Sequence, residues 1–311
     1  VNAGRTNSPV LVTGSHRSGT TWVGRMLCAS PRFGYIHEPF NVNHSRGQFR
    51  ADVPLWFTYI CDDNAEMVDE ALCDTVTFSF STMERLRQAP RLGPKQMMKI
   101  LWEWREFRLF KRERRRPLLK DPIAIFSAEW LARRFNMQVV AMIRHPAAFV
   151  SSLKKAEWPH PFDHFTRQPL FMRDMAGEFK GELEQFAAQD MNIVDQGCLL
   201  WNLIHETIRG YRDRHPDWIF IRHEDISRDP EGGFSDVFQA LGESLSPEVR
   251  NVIRAHTSAE NPSETEGKHE IRRDSSNLIH SWKKRLTDEE IARIREKTGS
   301  ISAHFYTEDD W

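Results

Sequence analysis

Val10-Leu-Val-Thr-Gly-Ser-His-Arg-Ser-Gly-Thr-Thr-Trp22 is the stretch that decides the fold. Three apolar β-formers lead into Gly14, and a short polar loop closes at Gly19. Thr20, Thr21 and Trp22 then open a helical pattern through Met26, Leu27 and Ala29. Strand, loop and helix in this order aim backbone N–H groups and a positive helix end at an anion. The glycine spacing, G-x-x-x-x-G, is that of a P-loop. Thr20, however, stands where a nucleotide kinase or ATPase carries the lysine that reaches the terminal phosphates. The cation moves inside the loop, to Arg17. The N–H groups and the hydroxyls of Ser18, Thr20 and Thr21 still suit a phosphate, but the usual apparatus for a magnesium-bound triphosphate is missing.

Outward from the loop, Phe33–Ile36 reads as a second strand ending in His37-Glu38-Pro39. Pro39 keeps Glu38 out of the α region, so its carboxylate is expected at an extended strand end, partly desolvated and with a raised pKa. Residues 41–95 suggest short helices beside the core. Met97 to Arg116 has helical character and finishes in Lys111-Arg-Glu-Arg-Arg-Arg116. That basic run reads as a solvated helix end, or as a rim that attracts an anionic acceptor. Pro117 to Lys120 is a short strand before Asp121-Pro122. Gln138-Val-Val-Ala-Met-Ile143 is an apolar run of the kind found in doubly covered parallel sheets. It ends at Arg144-His-Pro146, with Ser152 eight residues past Arg144. Residues 157–172 are rich in Pro, His and aromatics and read as a long irregular loop of the lid type. A strand at 218–221 and helices near 231–241, 247–256 and 288–297 complete the alternation. This is an α/β fold with a central parallel sheet flanked by helices, P-loop NTPase-like, expected as one domain over 1–311.

The chain has 311 residues, 40% of them hydrophobic and 28% charged, with a net charge of −1. No global field favours nucleic acid or a membrane, so an anion site must be local. Cys28, Cys61, Cys73 and Cys198 form no C-x-x-C pair, which disfavours a zinc ribbon and suits a reducing compartment. No apolar run is long enough for a membrane span. A cytoplasmic location is expected, with a lumenal fragment of a membrane-anchored enzyme as the alternative. The first residue, Val1, is not Met, which leaves room for a lost upstream segment.

Ser15-His-Arg-Ser-Gly-Thr-Thr-Trp22 resembles the 5′-phosphosulfate loop of sulfotransferases that use 3′-phosphoadenosine 5′-phosphosulfate (PAPS). Arg17 stands where the cytosolic branch has Lys, as in the Golgi carbohydrate and tyrosylprotein branches. Arg144-His-Pro, with Ser152, is similar to the family's 3′-phosphate motif. The resemblance implies that Ser15, His16, Arg17, Ser18, Gly19, Thr20, Thr21, Trp22, Arg144 and Ser152 bind PAPS and its product PAP, with Trp22 stacking on adenine. Arg272-Arg273-Asp274 is the nearest match to the closing Arg-Lys-Gly stretch and lacks its glycine. Lys120-Asp121-Pro122 resembles a segment of the bacterial and tyrosylprotein members.

The expected activity is transfer of a sulfuryl group from PAPS to an acceptor hydroxyl of a carbohydrate or other alcohol. No metal is expected. Arg17 is to stabilise the leaving phosphate, Glu38 to act as base, Lys120 to bind substrate or the sulfonate, and Asp121 to stand as second candidate base. A P-loop nucleotide kinase and a non-catalytic nucleotide-binding module are the competing readings. A small-molecule or glycan acceptor is the expected partner.

Overall fold

A computed structural model describes residues 7–81, 93–257 and 279–311. Five strands, β1 (Val10–Gly14), β2 (Phe33–His37), β3 (Arg116–Lys120), β4 (Gln138–Ile143) and β5 (Ile219–Arg222), form one sheet in the order β2-β3-β1-β4-β5. All four pairings are parallel. Successive side chains of a strand point to opposite faces, and here both faces are apolar. Val10 and Val12 enter one layer with Val23, Met26 and Leu27, whereas Leu11 enters the other. Leu118 and Leu119 divide in the same way. That explains why the strands read as unbroken apolar runs rather than as alternating ones.

The chain leaves β1 toward β2 on one side and leaves β4 toward β5 on the other. The crevice between the ends of β1 and β4 is therefore the topological switch point, where open α/β sheets take their ligands. Register is strict there: Gly14 lies opposite Met142, and a Cβ on Gly14 would come within 2.4 Å of the Met142 carbonyl oxygen.

Several expectations need correction. The basic run does not form a rim of the site. The helix Pro94–Arg112 precedes a strand, so its C-terminus arrives at the opposite, N-terminal edge of the sheet. Arg116 is the first residue of β3 and is buried, donating to the carbonyls of Ser8 and Leu241. Residues 157–172 are not an irregular lid either. They hold the helix Asp163–Thr166 and the start of Pro169–Asp174, and Phe162, Phe165 and Phe171 are buried in the core. The last helix starts at Asp288 as read, with Thr287 and Glu290 making a capping box, but it runs on to Ser302. Arg272 and Arg273 lie outside the described residues. Among the described residues no helix is long and apolar enough to cross a membrane.

Gly14→Ala should lower stability by about 2–4 kcal/mol. The new methyl group meets backbone rather than a yielding side chain, and the left-handed φ of 139° disfavours any Cβ. The urea midpoint of the purified variant measures it.

Candidate active site

The loop after β1 is built from two left-handed residues. Arg17 has φ 64° and Gly19 has φ 90°. A non-glycine residue held there points to an over-determined turn. The turn is closed by the Ser18 N–H donating to the Ser15 carbonyl at 3.2 Å, with the Ser18 hydroxyl donating to the same oxygen. A Cβ on Gly19 would strike the His223 ring at 2.6 Å, so the loop is pressed against the residue that follows β5. Thr20 is buried, whereas Arg17 and Thr21 are exposed.

Arg144, two residues past Met142, reaches across the crevice and donates to the Arg17 carbonyl. Arg17 donates through Nε to the Ser152 hydroxyl at 2.7 Å. Ser152 thus bonds to the loop cation rather than to Arg144. Arg144 is held in turn by Trp201, whose indole N–H donates to the Arg144 carbonyl at 2.8 Å. Burial brings the Arg144 guanidinium down to about 10, against the pull of the Glu224 carboxylate, so it remains charged at neutral pH. The Arg144 Nε and the Ser15 hydroxyl are buried and have no hydrogen-bond partner among the described residues. Orphaned donors of this kind, flanking the loop, fit an anion.

The sequence did not reveal what braces this turn. Glu224 is buried. One oxygen accepts the His145 N–H at 3.0 Å and the other accepts the Tyr306 hydroxyl at 3.0 Å. The His145 ring stacks on Trp282 at 5.2 Å and meets Tyr306 and Trp311 edge-on. Burial holds it neutral, with its pKa at about 3.

Glu38 departs from its expectation in two ways. It is not extended: its φ is 44°, a left-handed turn fixed by its N–H donating to the Lys120 carbonyl at 2.9 Å. Nor is its pKa raised. Burial pulls it up, but the Lys120 ammonium, together with hydrogen bonds from Lys120 and Asn41, outweighs burial and leaves it below the usual carboxylate range. The partner is Lys120. Lys120 is fully buried, and its stem passes under the first helix (Thr20–Leu27), where a Cβ on Gly24 would lie 3.0 Å from Lys120 Cγ.

Asp121 is committed to the backbone. It caps the turn after β3 by accepting the Ile123 N–H at 3.0 Å, and its other oxygen accepts the Phe40 N–H at 2.6 Å. Burial, aided by the Glu38 charge, raises its pKa to about 7.

His16 turns away from the loop. Its ring lies among Phe57, Phe149 and Trp158, and burial together with the Arg17 charge lowers its pKa to about 4. A small pocket opens there, lined also by Trp56, Ile123 and the turn Pro159–Pro161. Trp22 is half-buried, edge-on to Phe234 at 5.3 Å. Among the described residues no group of His, Cys, Asp or Glu is placed to hold a metal.

The family model described as "Sulfotransferase family" matches residues 9–247. The chain belongs to the sulfotransferase family. No curated protein matches it. A sulfotransferase domain from the olefin synthase of Synechococcus PCC 7002 superposes with a TM-score of 0.50 at 13% identity, covering 96% of this chain and 94% of that one. At this identity the likeness shows the shared α/β fold. A sulfotransferase from Mycobacterium avium matches at 14% identity and a TM-score of 0.47, covering 97% and 78%. Retinol dehydratase in complex with retinol and PAP matches at 14% identity and a TM-score of 0.42, covering 96% and 81%.

In this sulfotransferase Asp121→Asn should cost about 1–3 kcal/mol, because an amide cannot accept both backbone N–H groups. Urea unfolding measures the loss. Unchanged stability would show that the carboxylate is not the brace its contacts describe.

Proposed function

We propose that the protein transfers the sulfuryl group of PAPS to the hydroxyl of an alcohol acceptor, a carbohydrate included, with residues 1–311 acting as one domain. One observation carries this reading. Two cation-bearing turns, at Arg17 and Arg144, meet at the switch point and are tied to each other, with orphaned donors beside them. Such a pair suits one ligand with phosphate groups at both ends better than it suits a magnesium triphosphate.

When bound, PAPS supplies a sulfuryl group on a phosphate that can leave. The chain's own residues do the rest. Arg17, the N–H groups of residues 15–17, 19 and 20 and the hydroxyls of Ser15, Thr20 and Thr21 hold the 5′ end and offset charge on the departing phosphate. Arg144 grips the 3′-phosphate through its guanidinium fork, with Ser152 adding a hydroxyl. Trp22 offers a ring face to adenine. Glu38 takes the acceptor's proton, and Lys120 keeps that carboxylate ionised and aimed. The rings beside His16 suit the apolar face of the acceptor, a sugar ring included. A reducing compartment, the cytoplasm, suits four unpaired thiols.

Calorimetry should show PAP binding far more tightly than ADP or ATP, with or without magnesium. Arg144→Ala should remove most of that preference, roughly tenfold or more for one charge-assisted contact. Tight magnesium-dependent ATP binding would favour the kinase reading instead.

With an acceptor in hand, Glu38→Gln should lower turnover by about 10²–10⁴-fold while PAP affinity stays near normal. The acid limb of the wild-type pH profile should lie below the usual carboxylate range, because Lys120 holds the Glu38 pKa down. Near-normal turnover in Glu38→Gln would remove Glu38 from the role of base.

A further inference from the structure

The helix Pro94–Arg112 carries large apolar side chains on its outer face. Met98 is 72% exposed, Leu101 58% and Trp102 56%. Their spacing, i, i+3 and i+4, puts them on one stripe. Seven residues past Met98 and Leu101 the stripe continues as Arg105 and Arg108, then as Arg112, all exposed. The helix's carboxylates turn inward. Glu103 is buried and accepts the Ser45 hydroxyl at 2.8 Å, and Glu106 is half-buried. The outer face is thus apolar in its first half and cationic in its second.

This pattern selects among occupants. A second copy packed parallel along the same face would set arginines against arginines, and one packed antiparallel along its length would set them against the apolar half, so neither pairs the cations. The stripe is also convex, so a protein partner would have to supply a groove to receive it. A lipid surface needs no groove: Trp, Leu and Met enter the boundary of headgroups and acyl chains while guanidinium groups meet phosphate. We propose that this helix docks the enzyme on an anionic lipid surface. The docked end lies beside the site. The apolar stripe occupies the N-terminal half of the helix, at the sheet edge where the loops open. There the Lys99 charge bears on His37, the neighbour of Glu38. An acceptor hydroxyl presented from a lipid surface would meet the site on that side. The docking itself does not depend on the catalytic reading.

The test is co-sedimentation of the full chain with vesicles of phosphatidylcholine and phosphatidylserine, and with vesicles of phosphatidylcholine alone. Binding to the anionic vesicles, weakened by salt, is expected. The pairs Leu101→Glu with Trp102→Glu, and Arg105→Glu with Arg108→Glu, should each lower the partition coefficient at least ~10-fold. Circular dichroism and PAP affinity should be unchanged in both. No sedimentation with anionic vesicles overturns the proposal, as does equal binding by both variants. A dimer in analytical ultracentrifugation that Trp102→Glu dissolves, with vesicles ignored, would assign the face to a second copy.

Discussion

One guanidinium reaching back to one main-chain oxygen holds the site in shape. Arg144, at the end of β4, donates to the carbonyl of Arg17 in the loop after β1. The bond forms only because β1 and β4 are neighbours in register, with Gly14 opposite Met142 and no side chain between them. Everything polar at the crevice follows from it. The loop keeps its left-handed turn, Arg17 donates to Ser152, and the two cations come together at the cost of mutual repulsion. Buried glutamate opposes that repulsion. Glu224 sits close enough to Arg144 to favour its charged form, and it fixes the same turn through the His145 N–H.

The parts of this arrangement that were legible in the sequence are local ones. A strand running into a glycine loop and a helix is written in consecutive residues, and so is Arg144-His-Pro followed by Ser152. The rest depends on strand order and on distant side chains. Nothing near Glu38 in the chain announces that β3 slots between β2 and β1, yet that insertion brings Lys120 to the carboxylate. Nothing near Arg144 announces Glu224 or Tyr306, which arrive from other elements. The basic run suits both a solvated helix end and a ligand rim by sign and length, and the structure bears out the helix end, with residues 111–114 exposed. Its position, at the end of a helix that precedes a parallel strand, sends it to the far edge. The loop at 157–172 misled because composition alone does not separate an exposed aromatic loop from one whose phenylalanines fill the core.

The contrast at Glu38 is one of competing magnitudes. Desolvation and a neighbouring cation act in opposite directions on a carboxylate, and each can move it by more than a unit. With Lys120 fully buried, the ion pair sits where screening is weak and attraction wins. The fold therefore keeps a half-buried carboxylate in its ionised form. It also keeps a lysine that burial pushes down in pKa and the Glu38 charge pulls back up.

Gly24 shows what such a pair demands of distant parts of the chain. It stands inside a short helix, where glycine is a poorer choice than alanine by roughly 1 kcal/mol. An engineer seeking thermostability would replace it first. Yet the space that a methyl group would take belongs to the stem of Lys120, with Tyr35 on the other flank. The helix gives up some of its own preference so that a lysine from another strand can run straight to its carboxylate. Stabilising the scaffold and preserving the Lys120–Glu38 pair pull in opposite directions at that one position, and a screen that scored melting temperature alone would select the wrong residue.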